Sequence, residues 1–217
     1  MEKEGRMHLP DGFLTAGVWA PLWVAAAAGI AGCVKTVQRS LSDRAVPLMG
    51  VMAAFIFAAQ MLNFPVPGGT SGHLLGGVLA AVLLGPWAGA LVIAIVLAVQ
   101  CLLFQDGGLT TLGANIVNMS LFGSVCGYGI YTAVKGVSGG KVLPAVAVAS
   151  WCSVVLASAA CSVELALSGT VPLRTALPAM VAVHALIGVG EAVITCLVVS
   201  CVMKARPDLV PSKGACA

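Results

Sequence analysis

HLLGGVLAAVLLGPWAGALVIAIVLAVQCLLFQ, residues 73–105, runs without a formal charge. A single α-helix of that length would reach about 50 Å, well beyond the roughly 30 Å of a bilayer's hydrocarbon core. Gly85-Pro86 interrupts it. Proline removes a helix hydrogen bond, and Gly-Pro is a turn signal. Read as one helix, the stretch gives the chain six spans. Read as two, it gives seven, with a short first piece over 73–84 and a second near 88–105. The fold hangs on that choice.

The other apolar runs lie near 14–34, 46–63, 113–134, 142–168 and 176–203. Loop charge decides between the two counts, because Lys and Arg accumulate on the cytoplasmic side. Seven spans with the N-terminus outside place Lys35, Arg39, Arg44, Lys135, Lys141, Lys204, Arg206 and Lys213 inside. Only Lys3, Arg6 and Arg174 fall outside, a split of 8 to 3. Six spans give at best 7 to 4, or 5 to 4 without the first six residues. The expected fold is therefore an all-α polytopic membrane protein of seven transmembrane helices, N-terminus outside and C-terminus cytoplasmic. No internal repeat or soluble domain is visible.

Composition agrees. Of 217 residues, 59% are hydrophobic and 9% charged, against about 25% charged in soluble domains. The eleven Lys and Arg are scattered over loops, so no nucleic-acid face exists. MEKEGR at the start has mixed charge, and Pro10, Asp11 and Gly12 interrupt before any apolar run, unlike a secretory signal. The eight cysteines form no CxxC pair and read as small apolar filler. No GxxxxGK[ST] phosphate loop occurs, so ATP hydrolysis would belong to a partner.

Three constellations carry chemistry. Met7 and His8 precede the first span, and His73 opens the third, so all three meet on the outer side. A histidine behind a free amine chelates well. The amine and the His8 backbone nitrogen close a five-membered ring on a metal, and that nitrogen and imidazole Nδ1 close a six-membered one. One corner of a square stays open for another imidazole such as His73. Four planar nitrogens suit Ni(II), Cu(II) or low-spin Co(II) rather than tetrahedral Zn(II). Two histidines in a polar mouth, without metal, are the alternative.

Glu164, His184 and Glu191 form the second set; His184 and Glu191, seven apart, share a helix face. Intramembrane ionisable groups suggest an ion or proton path, or a network tying spans six and seven together. The third is Gly69-Thr70-Ser71-Gly72, which matches the GxSG of rhomboid-type intramembrane serine proteases, with Ser71 as nucleophile and His184 as base. A tight turn capping span three explains the same residues.

MHLPDGFL, PVPGGTSGH, LLGPWAGA, FQDGGLTTLGANIVNM, GYGIY and HALIGVGEAVIT, in this order, resemble the CbiM/NikM family. These are metal-binding S components of energy-coupling-factor importers for cobalt and nickel, and the resemblance runs from Met7 to about residue 203. It implies a membrane domain over 7–203, a cytoplasmic tail over 204–217, and an extension, 1–6, outside the domain. It also implies a cell-membrane importer subunit that captures Ni(II) or Co(II) as substrate, in the service of cobalamin biosynthesis where the metal is cobalt, with no resident cofactor. The metal donors would come from Met7, His8 and His73, with Asp11, Ser71 and Asn115 supporting them. The partners implied are a transmembrane coupling subunit, two cytoplasmic ATPase subunits and a small CbiN/NikN-like membrane subunit. Small pairs Ala27/Ala31 and Ala28/Gly32 in span one would let a partner helix approach closely. Family members expose the amine of the methionine in MH, whereas here Arg6 acylates Met7. The expectation is that the working chain starts at Met7 or loses the first six residues. A proton-linked transporter using Glu164, His184 and Glu191, or a Ser71 protease, would be the other readings.

Overall fold

The computed structural model describes residues 8–40, 45–62, 64–66 and 70–210. The predicted break at Gly85-Pro86 is present. Helix α3 (Gly77–Leu84) stops at Gly85, whose φ of 85° and ψ of 160° belong to glycine, and helix α4 (Pro86–Phe104) starts on the proline. A Cβ on Gly89 would meet the Ala81 backbone nitrogen at 2.7 Å, so α4 folds back along α3 as an antiparallel hairpin.

Around this hairpin stand α1 (Ala16–Ser40), α2 (Ala45–Gln60), α5 (Leu112–Asn115), α6 (Gly127–Val137), α7 (Val142–Leu167) and α8 (Leu173–Ala205). A π-helical stretch, Ile116–Cys126, joins α5 and α6 into one rod. Among the described residues this makes seven helical rods, with a short 3₁₀ turn at Pro207–Leu209 after the last. α1, α4, α7 and α8 are each long and apolar enough to cross a membrane. The helical expectation misses a two-stranded hairpin between α2 and α3. Strand β1 (Phe64–Val66) pairs antiparallel with β2 (Thr70–Gly72), Pro65 opposite Ser71.

The surface is the reverse of a soluble protein's. Val24 is 70% exposed and Leu103 74%, while Gln60, Gln100 and Glu191 are buried. Apolar side chains face outward because the surrounding medium is lipid, and polar groups turn inward where the protein can bond them. The chain is a multi-pass membrane protein.

The segment before α1 fixes which connections share an end of the bundle. Leu14 packs into an apolar cluster with Ala114 and Leu165. The Thr15 amide donates to Ser168 Oγ, and Thr170 Oγ1 donates to the Phe13 carbonyl at 2.6 Å. The Gly108 amide donates to the Leu9 carbonyl at 2.9 Å. The N-terminal segment, the α4–α5 connection and the α7–α8 connection therefore lie together. That parity holds only if α3 and α4 run in opposite directions, as seven rods require.

Candidate metal centre

Apolar composition puts the start of span three at residue 73, but the helix begins at Gly77. Residues 73–76 form a non-helical segment that carries His73 into the bundle. Leu74 and Leu75 are buried, so the backbone here must find partners inside the protein. It finds them. Glu191, near the middle of α8, accepts the Leu75 amide at 2.7 Å and the Gly76 amide at 2.9 Å, one on each carboxylate oxygen. Gln60 Nε2 at the end of α2 donates to the Leu75 carbonyl at 2.9 Å, and the Gly76 carbonyl accepts from Ala80. Gly76 has φ of 76°, in the left-handed region, and a Cβ there would meet the Ile56 side chain at 3.0 Å.

His73 Nδ1 and the Leu74 carbonyl are 3.0 Å apart. The carbonyl can only accept, so Nδ1 carries the hydrogen and Nε2 the lone pair. The ring stands edge-on to His8, centroids 5.1 Å apart at 87°. Two imidazoles separated by 65 positions in sequence thus meet.

His8 is 5% exposed. Its Nε2 lies 2.9 Å from Gln100 Oε1 and 3.7 Å from Asp106 Oδ2, both acceptors, so Nε2 bears the hydrogen. Nδ1, the nitrogen expected to chelate, is buried and has no hydrogen-bond partner. Burial holds the His8 imidazole below its ordinary pKa, against the opposing pull of Asp106 and the Gln100 bond. The neutral ring that a metal requires is favoured. The His8 backbone amide donates to Asp106 Oδ1 at 3.3 Å, so a carboxylate faces the hydrogen that coordination would displace. Among the described residues no three His, Cys, Asp or Glu side chains converge as a metal group. A donor set built on two imidazoles and main-chain nitrogens needs no such group.

The α4–α5 connection grips the segment behind His8. Asp11 accepts from the Leu109 amide at 3.2 Å, the Thr110 amide at 2.8 Å and the Thr110 hydroxyl. The Leu9 carbonyl accepts from the Thr111 hydroxyl and from Asn115 Nδ2 at 3.4 Å. Asp11 and Asn115 therefore hold the segment in place. Ser71 lies in β2 beside His73, and its side chain, like the whole of Met7, falls outside the described residues.

The second constellation divides. His184 bonds the Met180 carbonyl of its own helix at 2.8 Å and lies within electrostatic range of His73. Glu191 serves the His73 segment. Glu164 instead accepts from Asn118 Nδ2 of the π-helical stretch at 2.9 Å. Sequence reasoning missed Gln60, Gln100 and Asp106. The signal for the first two was an amide side chain in an otherwise apolar span.

The profile of the CbiM family, described as a cobalt uptake substrate-specific transmembrane region, matches residues 8–209. A protein of Archaeoglobus fulgidus assigned as a fused nickel transport protein, NikMN, is 42% identical over 96% of this chain and 70% of its own length. The fused nickel transport protein NikMN of Rhodobacter capsulatus is 33% identical over 96% of this chain but only 65% of its own. A cobalt transport protein CbiM of Geobacter sulfurreducens is 33% identical over 96% of this chain and 62% of its own. The crystal structure of a truncated transition metal transporter superposes with a TM-score of 0.84 at 34% identity, covering 92% of this chain and 99% of that one. With its seven-rod membrane body matched from end to end, the chain belongs to the CbiM family of nickel and cobalt transport proteins, which are transporters and not enzymes.

Proposed function

We propose that this chain is the substrate-capture subunit of an ATP-driven energy-coupling-factor importer, taking Ni(II) or Co(II) from outside the cell and passing it inward. The observation that carries this reading is the pairing of His8 with His73, with His8 Nδ1 buried and unbonded and His73 Nδ1 occupied by Leu74. The donors are the Met7 amine, His8 backbone nitrogen, His8 Nδ1 and His73 Nε2. Square-planar Ni(II) matches four nitrogens most naturally. Hydrogen bonds at the far nitrogen of each ring set the tautomer and orientation that binding needs.

The motor lies elsewhere, in two ATPase subunits and a coupling subunit. The face of α1 bearing Ala27, Ala28, Ala31 and Gly32 is exposed, and a Cβ on Gly32 would meet nothing within 4 Å. That face suits close approach by a helix of the coupling subunit. The chain spans about two thirds of the fused NikMN relatives. A separate NikN-like subunit is the counterpart of their remaining length.

Reconstituted alone in liposomes, the chain starting at Met7 should bind Ni(II) or Co(II) yet not accumulate it, whatever ion gradient is imposed. Accumulation should appear only with the coupling subunit, ATPases and ATP. Uptake driven by a proton gradient alone would instead make Glu164, His184 and Glu191 the working groups of a secondary transporter.

The capture face is extracellular in this reading. In a cysteine-depleted background, Thr70→Cys should react with an impermeant maleimide in intact cells, and Arg39→Cys only after permeabilisation. Labelling of both from one side would remove the topology.

A further inference from the structure

We propose that Glu191 is a positioning residue for metal capture, its carboxylate fixing the Leu75 and Gly76 amides so that His73 is aimed at the substrate ion. This rests on the capture function proposed above and assigns a part of it to α8. Three observations converge. The segment holding His73 is not helical, so its own hydrogen bonds do not define it. Glu191 is buried and spends both oxygens on consecutive amides, 2.7 and 2.9 Å away. Gln60 holds the Leu75 carbonyl from the opposite element, so one residue is gripped at both its backbone groups.

The consequence is geometric. His73 is two residues from the first gripped amide, and its Nδ1 bonds the adjacent Leu74 carbonyl. That bond sets the ring relative to the segment, and Glu191 sets the segment relative to the bundle. His8 is fixed independently, its ring by Gln100 and its backbone amide by Asp106. Bringing two separately anchored imidazoles to one ion requires both anchors. A small misplacement of a donor weakens a planar site more than it disturbs the fold.

Metal affinity and the visible ligand-field spectrum of bound Ni(II) separate positioning from simple stabilisation. They should be measured on the chain starting at Met7 and on its Glu191→Ala, Glu191→Gln, His73→Ala and Glu191→Ala/His73→Ala variants. Outer groups of this kind contribute roughly 10–100-fold in affinity, and Glu191→Ala should lose about that much. Its spectrum should move toward that of His73→Ala. The double variant should bind no more weakly than His73→Ala, because a residue that acts through His73 has nothing left to position. Glu191→Gln keeps one acceptor and turns an NH₂ toward the other amide, so it should lose affinity in the same direction. Should Glu191→Ala not fold, Glu191→Gln combined with His73→Ala completes the same cycle. Unchanged affinity and spectrum in folded Glu191 variants would overturn the assignment, as would losses that multiply in the double variant. If the unsubstituted chain binds neither Ni(II) nor Co(II), the capture function itself falls, and this role with it.

Discussion

A chain beginning at Met7 should bind one Ni(II) or Co(II), and a chain that retains MEKEGR should bind on the order of 10³-fold more weakly, about 4 kcal/mol. The difference comes from one nitrogen. In the short form Met7 offers an amine, whose lone pair is available near neutral pH. In the long form the same atom is a peptide nitrogen, its lone pair delocalised into the carbonyl, and it must lose a proton to coordinate. The five-membered ring that joins Met7 to the His8 backbone nitrogen is then expensive to close. The two forms should also differ in pH dependence. Protons compete with metal for the amine, whose ordinary pKa is about 7.7–8.0, so affinity of the short form should climb as pH rises through that range. His8 contributes little there, since burial already holds its imidazole below the ordinary value. Intact mass, metal content and a titration on both forms check this together. Equal affinities, with no trimming seen by mass, would sink the amine as a ligand.

The sequence made the proposed centre partly legible because its proposed donors sit where the chain changes character. Met7-His8 stands before the first apolar run and His73 at the edge of the third, so span parity alone puts them on one side. The Gly85-Pro86 break was equally legible, since glycine suits a φ of 85° and proline suits the first position of a helix. What composition could not reveal is that Leu74, Leu75 and Gly76 are not helix. An apolar residue buried in a loop and one buried in a helix look alike in sequence, and the distinction here lies in Glu191 and Gln60 more than a hundred and about fifteen positions away. The same holds for the π-helical stretch, which no periodicity announces. Glu191 and His184 share a helix face as their spacing required, but spacing did not say that the carboxylate accepts from two backbone amides. Asp106 is the clearest omission. It lies in a loop motif rich in glycine, FQDGG, and only the fold brings it to the His8 amide.

The two glycines that follow Asp106 yield the other large effect. Gly107 has φ of 97°, and a Cβ there would sit 3.1 Å from the His8 Cβ. Gly108 is tighter still. Its amide donates to the Leu9 carbonyl, and a Cβ on it would overlap the Asp11 backbone nitrogen and carboxylate. Main-chain atoms cannot swing aside as a flexible side chain can, so Gly108→Ala must push the N-terminal segment away from the α4–α5 connection. The Asp11 bonds to Leu109 and Thr110 and the Thr111 bond to Leu9 would loosen with it. His8 rides on that segment, and with it go the Met7 amine, the His8 backbone nitrogen and Nδ1, three of the four proposed donors. Gly108→Ala should therefore lose more than about a hundredfold in affinity, beyond the single-donor support that Glu191 gives, about 3 kcal/mol or more. The atoms nearest this methyl all belong to Asp11, outside the helices, so metal-free thermal stability should move far less than the metal-bound value. Titration of Ni(II) beside melting curves with and without metal measures both. Wild-type affinity in a folded Gly108→Ala protein would mean that the segment need not dock on this connection for the metal to be held.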